Sequence, residues 1–167
     1  MNYPYMPIEK KQEMGKKALE VIARYKFPVH IITKSDLVKR DTEILKTISE
    51  TYAAVSFTIT TADNTLAKQI EPFAPMSSKR FEAMEHLAKN GIYTGITFMP
   101  VLPYINDTEK NIEEIVKRAK DAGASYIIAM FGLTLRKGSR DYFYSFLDKE
   151  YPTLKDKYQQ TFGERYT

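Results

Sequence analysis

The sequence predicts an α/β protein in which helices alternate with the strands of a parallel sheet. Helical periodicity and short β-branched runs take turns along the chain. The strand runs are apolar at successive positions, as strands covered on both faces are. With 167 residues, 43% of them hydrophobic, and no low-complexity linker, the chain is expected to form a single domain spanning residues 1–167.

Two helices and two strands are predicted in the first half of the chain. Residues 9–25 carry apolar side chains at helical spacing with lysines opposite, and residues 27–33 form a short strand. Residues 36–52 predict a second helix. The run AAVSFTIT, residues 53–60, is rich in β-branched residues and predicts the second strand.

The second half predicts a long loop, two further helix–strand pairs and a helical tail. The loop carries Glu71-Pro72-Phe73-Ala74-Pro75. The elements after it are a helix over residues 78–90, a strand over 92–101, a helix from Asp107 to the stop at Gly123, and a strand over 125–131. From Ser139 onward, one or two amphipathic helices are expected, with a break at Pro152.

Two architectures satisfy this order of elements. Four strands are too few for a closed (βα) barrel, and the chain begins on a helix rather than a strand. The protein is therefore either a small open α/β sheet or the later part of a barrel whose first strands are missing.

Composition excludes several classes of function. The net charge of +4 is too small to argue nucleic-acid binding by itself. No apolar run approaches the roughly 18 residues of a membrane span, and the N-terminus lacks the apolar middle of a signal peptide, so we expect a cytoplasmic protein without membrane contact. The absence of cysteine excludes disulfides and any cysteine-held metal cluster built by this chain alone, and with only two histidines we expect no histidine-rich metal site.

The strand ends carry a lysine and several hydroxyls. Lys34 follows the first strand directly, and Ser56 lies in the second. Because the carboxyl ends of βα strands share one rim, such a set suits a ligand with a carboxylate and a ribose. The alternatives are a surface lysine near a helix start and a core serine bonded to the backbone. We expect His30 to be a satisfied core or interface residue and His86 to be exposed.

Several short motifs occur along the chain in a characteristic order. They are Tyr5-Met6-Pro7-Ile8-Glu9, Thr33-Lys34-Ser35 with Arg40-Asp41, Ser56 in its strand, Glu71-Pro72-Phe73-Ala74-Pro75 with Arg80, PVLPYIND (residues 100–107) and GLTLRKGSR (residues 132–140). Each motif is weak alone, but their order and spacing together are specific. They resemble those of the radical S-adenosylmethionine (SAM) enzymes of the spore photoproduct lyase-like group, also called DNA repair photolyase-like.

The resemblance implies a partial TIM barrel of six (βα) strands. In that family three cysteines of a CxxxCxxC-type loop hold a 4Fe–4S cluster, which binds SAM and reduces it to a 5′-deoxyadenosyl radical. By this analogy Lys34 pairs with the SAM carboxylate, and Ser56 contacts its methionine or ribose part. Ser35, Tyr5 and Glu9 belong to the same SAM site. Glu71 and Arg80 are implied as a structural pair in the loop over the pocket.

The cysteine loop and first two strands of that family would precede residue 1. We therefore predict an incomplete (βα) partial TIM barrel of about four parallel strands flanked by helices, plus C-terminal helices. As a truncated radical SAM lyase-like fragment, it is expected to be inactive alone, with no catalytic residue and no metal ligand of its own.

Two other functions remain open. A lysine at a strand end is also typical of Schiff-base aldolases, in which Lys34 would be the nucleophile. A non-catalytic interaction module is the other, because missing strands expose a sheet edge, which favours a homodimer or a partner that completes the barrel. The lysine-rich first helix is interpreted as a solvated face, with nucleic-acid binding as the less favoured interpretation.

Overall fold

A parallel four-stranded sheet organises the computed structural model, which describes residues 4–132, 135–136 and 138–163. Helices and strands alternate through most of the chain, and two helices follow the last strand. In chain order the elements are α1 (Glu9–Gln12), α2 (Met14–Arg24), β1 (Val29–Thr33), a 3-10 helix (Asp36–Asp41), α3 (Thr42–Ser49), β2 (Ala53–Thr58), α4 (Asn64–Ile70), α5 (Ser77–Lys89), β3 (Tyr93–Val101), α6 (Glu109–Asp121), β4 (Tyr126–Phe131), α7 (Ser139–Glu150) and α8 (Pro152–Phe162).

The strands are ordered β1-β2-β3-β4 and every neighbouring pair is parallel. Ile31 pairs with Val55, Val55 with Thr94, and Ile96 with Ile127. The predicted α/β class, with four parallel strands flanked by helices, is confirmed. In a parallel sheet of this order, the carboxyl ends of all strands lie together at one end of the sheet. The loops that follow β1 and β2 are therefore neighbours.

One face of the sheet carries the main core. Val55, Phe57 and Ile96 point to this face and are completely buried against residues of the surrounding helices, among them Leu45 and Met84. Full burial of each such side chain contributes about 1.5–3 kcal/mol to stability. This packing holds the carboxyl end of the sheet in place.

The opposite face of the sheet is exposed at the edge strands and at the start of β3, while Ser56, Thr58 and Thr97 in its centre are buried. His30, Tyr93 and Ile128 project to this face and are exposed, with 44% of the Tyr93 surface and 47% of the Ile128 surface accessible. Strand β4 is accessible on both faces, because its remaining residues up to Phe131 are exposed as well. The edge strands β1 and β4 therefore differ from the two-sided burial that their apolar sequences predict, whereas β2 is buried at every position.

Three helical boundaries depart from the predicted ones. The predicted helix over residues 9–25 is broken at Glu13, which has a left-handed backbone (φ 52°), and so forms α1 and α2. The start of the predicted helix over residues 36–52 is a 3-10 helix. Part of the predicted loop before Glu71 is helix α4, whose N-cap Asp63 accepts a hydrogen bond from the Thr65 amide at 2.7 Å.

Helices α7 and α8 form a hairpin that breaks at Pro152, as predicted. Leu147 and Tyr158 are buried in it and pack with Leu102 and Ile105, which follow β3. The Tyr158 hydroxyl donates to the Pro103 carbonyl at 2.7 Å. The hairpin thus lies against the segment after β3, and partly buried residues of α4 pack against the same cluster.

Within GLTLRKGSR, residues 133, 134 and 137 lie outside the described part of the chain. Over the described ranges, every helix is too short or too polar to cross a bilayer.

Candidate functional site

A pocket of about 960 Å³ lies at the carboxyl end of β1. Three separate segments form its walls: the N-terminal turn, the chain leaving β1, and the loop after α4. The lining residues are 5–7, Lys10, 33–37, Lys39, Arg40 and 70–75. The pocket is therefore built from the Tyr5-Met6-Pro7, Thr33-Lys34-Ser35 and Glu71-to-Pro75 motifs, which are distant in sequence.

An ion pair between Lys34 and Glu71 joins two of these walls. The Lys34 ammonium lies 2.8 Å from Glu71 Oε1, and 26% of the Lys34 side chain and 10% of the Glu71 side chain are exposed. Both charges belong to residues that line the pocket. At this point of the wall a ligand meets the Lys34 cation and the Glu71 anion side by side.

Arg80 holds Glu71 from the interior. Its Nη1 lies 2.6 Å from Glu71 Oε2 and donates to the Thr58 carbonyl at 2.8 Å, while its Nε donates to the Pro75 carbonyl at 2.8 Å. Only 1% of the Arg80 side chain is exposed, and its Nη2 has no hydrogen-bond partner among the described residues. Arg80 does not line the pocket; it fastens the loop over residues 71–75 to the end of β2.

Tyr5 lines the pocket, and its hydroxyl is bonded to the buried Asp41. The hydroxyl donates to Asp41 Oδ2 at 2.9 Å, and 4% of the residue is exposed. Burial, followed by the charge of Asp41, raises the pKa of Tyr5 well above its usual value. The hydroxyl is therefore a neutral donor that anchors the N-terminal turn.

Glu9 lies behind the pocket wall rather than in it. Its Oε1 accepts from Arg40 Nη2 at 2.9 Å and from the backbone amides of Gly15 at 3.0 Å and Lys16 at 3.3 Å. Burial alone would raise the pKa of Glu9, but these hydrogen bonds, that of Arg40 foremost, lower it below its usual value. Glu9 is thus an ionised tie between α1, α2 and the 3-10 helix.

Arg40 connects this network to Asp41. Its Nε donates to Asp41 Oδ1 at 2.8 Å and its Nη2 to Asp41 Oδ2 at 2.9 Å, a bidentate pair. The hydrogen bond to Asp41 raises the pKa of Arg40 further. The pair secures the pocket wall formed by the chain after β1.

Ser35 shapes the turn from β1 into the 3-10 helix. Its hydroxyl accepts from the Leu37 amide at 3.2 Å, and its own amide donates to Thr33 Oγ1 at 2.9 Å. The turn directs Lys34 into the pocket wall.

Ser56 lies outside this pocket, on the face of the sheet opposite the main core. Its Oγ is 2.7 Å from His30 Nε2 and 2.7 Å from the Tyr126 hydroxyl, and the residue itself is fully buried. Burial raises the pKa of Tyr126, and the hydrogen bond with Ser56 partly opposes this. His30 is exposed and bonded to Ser56, so of the two expected places the core is wrong, and an interface position stays a prediction.

Tyr126 reaches Ser56 by lying across β3. A Cβ atom on Gly95 would collide with the Tyr126 ring, so only glycine leaves room for it there. Sequence reasoning did not single out Tyr126. A glycine inside an apolar strand often marks a place where another group approaches the backbone closely. Gly95 is the one feature of the sequence that indicates such a contact in β3.

The structure thus brings together Tyr5, Lys34, Ser35 and Glu71 at one pocket. Glu9 and Arg80 brace it from behind, and Ser56 belongs to a separate cluster. His86 is exposed, as expected, and its Nε2 lies 3.1 Å from Thr42 Oγ1. Among the described residues, no group of three or more His, Asp or Glu side chains could hold a metal ion.

Curated proteins similar to this chain are uncharacterized. One from Methanocaldococcus jannaschii is 34% identical over 148 residues, which are 89% of this chain and 53% of the relative. One from Mycobacterium tuberculosis is 23% identical over 160 residues, 95% of this chain and 47% of the relative. One from Acidianus two-tailed virus is 26% identical over 127 residues, 74% of this chain and 41% of the relative.

This chain therefore spans about half the length of the curated relatives it matches. No protein-family model matches the sequence. No solved structure matches it significantly.

Proposed function

We propose that this chain is the SAM-binding part of a radical SAM-type enzyme and does not generate the radical alone. One observation carries the proposal. Three motifs that support the resemblance, separated by up to about 60 residues, form the walls of a single pocket with Lys34 in it. The DNA-lesion lyase-like activity that the resemblance implies would belong to the complete enzyme.

The charges of the pocket suit the amino-acid end of SAM. That end is a zwitterion, with a carboxylate and an ammonium on one carbon. Lys34 supplies a cation for the carboxylate, and Glu71, 2.8 Å away, supplies an anion for the ammonium. Without a ligand, Lys34 and Glu71 neutralise each other in an ion pair. When SAM binds, its carboxylate and ammonium replace this pairing with one ion pair each.

The size and the apolar surface of the pocket suit the nucleoside end. A volume of about 960 Å³ is at the upper end of the roughly 300–1,000 Å³ typical of small-molecule sites. Leu37, Ile70 and Phe73 supply apolar surface against which an adenine can pack. Phe73 is 96% exposed, which makes it the wall residue with most surface to gain from a ligand.

The residues do not fit an iron–sulfur cluster. A 4Fe–4S cluster is held by cysteine thiolates, and the sequence contains no cysteine. Radical formation is therefore assigned to a cluster held outside this chain, and we derive no step through it. The part assigned to this chain is binding and orienting SAM.

Calorimetry with SAM tests the binding role. We expect the wild-type chain to bind SAM, and Lys34→Ala to weaken binding about ten- to a hundred-fold, the loss of one hydrogen bond to a charged group. Lys46→Ala is the matched control, because Lys46 is also paired with a glutamate, Glu43, at 3.3 Å on the surface. Equal affinities for wild type and Lys34→Ala would show that Lys34 does not hold the carboxylate.

Ser56 requires its own variant. The resemblance implies that it contacts SAM, yet its hydroxyl already bonds to His30 and Tyr126 and it does not line the pocket. The SAM contact therefore stays a prediction. A loss of SAM affinity in Ser56→Ala, with the unfolding transition unchanged, would support it.

Anaerobic reconstitution with iron and sulfide tests the claim of inactivity. We expect neither a stable 4Fe–4S absorbance nor cleavage of SAM by this chain alone. Cluster assembly with SAM cleavage, in the absence of any other protein, would contradict the proposal.

The aldolase alternative requires Lys34 to act as a nucleophile rather than as a counter-ion. A Schiff base forms from a neutral amine, whereas Lys34 forms an ion pair with Glu71. Borohydride trapping with small aldehydes and ketones, followed by peptide mass mapping, distinguishes the two functions. An adduct confined to Lys34 would favour the aldolase, and its absence leaves the SAM-binding role.

A further inference from the structure

Both edges of the sheet are open and uncharged. Strand β1 has the sequence VHIIT and β4 the sequence YIIAMF, and in the part of the chain that the structure describes each has a sheet neighbour on one side only. Natural proteins protect exposed edges with charges, prolines or bulges, because unpaired strands recruit other chains. Neither strand contains a charged residue or a proline, so both edges are suited to pairing.

The helix-facing side of β4 is also bare. Ile127, Ala129 and Phe131 point to the side that the helices cover elsewhere, yet all three are exposed, Phe131 by 79%. On the other side, Ile128 and Met130 are 47% and 54% exposed. Helix α7, which follows β4, packs with the segment after β3 instead.

Helix α2, in contrast, has an apolar face that no strand covers in the described part of the chain. Its apolar stripe continues onto solvent, with Val21 50% and Tyr25 72% exposed, and Phe27 after the helix 66% exposed. Val21 and Tyr25 are four residues apart and so lie on one face. Helix α2 packs against α3, the helix between β1 and β2, so we place this stripe toward the β1 edge of the sheet. Among the described elements, the β4 edge of the sheet thus lacks a covering helix, whereas helix α2 presents an exposed apolar stripe that could cover one strand more.

We propose that two copies of this chain associate about a two-fold axis and close an eight-stranded parallel barrel. In this dimer β1 of each copy pairs with β4 of the other, and α2 of each copy covers the bare side of the other's β4. Eight parallel strands are the number at which a (βα) barrel closes. The inference concerns the 167-residue chain by itself and does not depend on the ligand of the Lys34 pocket.

The exposed apolar area is sufficient for a stable dimer. The seven side chains that would be covered are each exposed by 37–79%. With about 200 Å² for each large apolar side chain, this amounts to on the order of 800 Å² per copy, the size of a standard interface. The seven are Val21, Tyr25, Phe27, Ile127, Ile128, Met130 and Phe131.

The stagger of such a barrel assigns the pairing register. A closed barrel of this type has a shear of about eight residues, so each copy contributes about four. Ile128 is in register with Thr97, and Thr97 with Thr58, a row that meets β1 at position 34. A stagger of about four residues between the two copies moves the β1 partner of Ile128 from position 34 to position 30 or 38. Position 38 lies outside β1, so Ile128 is expected beside His30 of the second copy.

Light scattering during size-exclusion chromatography tests the assembly. We expect twice the 19.3 kDa mass of the chain. Ile128→Lys should give monomers, because a charge would enter the closed interior. Tyr142→Lys is the matched control, since Tyr142 is 76% exposed on α7, and it should remain dimeric. A monodisperse wild-type monomer at tens of micromolar would overturn the proposal.

Engineered cysteines test the geometry without relying on the folding of the lysine variant. The chain has no cysteine of its own, so His30→Cys combined with Ile128→Cys forms disulfides only at the introduced sites. Neighbouring strands are about 4.8 Å apart, within disulfide reach. The closed dimer predicts a covalent dimer and no larger species. A ladder of multimers would indicate open edge-to-edge chains, and uncross-linked chains would show that these edges do not meet; either result overturns the barrel.

Discussion

The Glu71 carboxylate lies between two cations, 2.8 Å from Lys34 at the pocket wall and 2.6 Å from the buried Arg80 behind it. Arg80 is thus the structural partner of Glu71, and Lys34 is the partner that a ligand can reach. Exchange at Lys34 leaves the Arg80 pair intact, so the loop over residues 71–75 can stay attached while the pocket is occupied.

Removal of the Glu71 carboxylate is expected to destabilise the fold. Glu71→Ala leaves Arg80 buried without its counter-ion, which costs about 3 kcal/mol or more. Urea unfolding followed by circular dichroism measures the loss. Glu71→Gln, which keeps the shape, should retain part of the stability, and Glu82→Ala, on the exposed Lys79 pair, should leave the midpoint unchanged. A wild-type midpoint for Glu71→Ala would refute the buried-pair role.

Stability should fall in acid partly through Glu9. Its folded-state pKa is lowered, so its contribution is present above the unfolded-state pKa and is lost as the pH falls through the lowered folded-state value. Urea midpoints measured from pH 7 down to pH 3 should decline more steeply for wild type than for Glu9→Gln. Parallel declines would mean that Glu9 does not titrate as the Arg40 pairing requires.

Gly95 and Tyr126 should be energetically coupled. Gly95→Ala places a methyl group where the Tyr126 ring lies, at an expected cost of about 1–3 kcal/mol. In a Tyr126→Ala background the ring is gone, and the same substitution should cost much less. The double-mutant cycle in urea measures this interaction. Additive effects would indicate that the ring does not occupy this space in solution.

Much of the fold follows from local patterns in the sequence. Alternation of helical and β-branched segments predicts the four strands, because each pattern reports which side of an element is buried. The break at Glu13 is not predictable in this way, since it depends on Glu9 accepting hydrogen bonds from amides six and seven residues later. Helix α4 is only seven residues long, too short for a periodic signal.

The candidate site was predictable to a similar extent. Position at a strand end singles out Lys34, but nothing in the spacing identifies Glu71 as its partner, because that contact depends on how the loop after α4 folds back. The exposure of His30 was not predictable either. Apolar strand sequences indicate burial on both faces, and the exposure of the edge strands appears only once the strand number and order are known.

The central claim is that Lys34 holds the carboxylate of a SAM-like ligand. Calorimetry of wild type and Lys34→Ala, each with SAM and with 5′-methylthioadenosine, which lacks the amino-acid end, tests it as a thermodynamic cycle. The account predicts that wild type prefers SAM and that Lys34→Ala reduces this preference by about ten- to a hundred-fold, while the contact of Glu71 with the ammonium preserves the remainder. Contradiction would be a Lys34→Ala variant that retains the full preference for SAM.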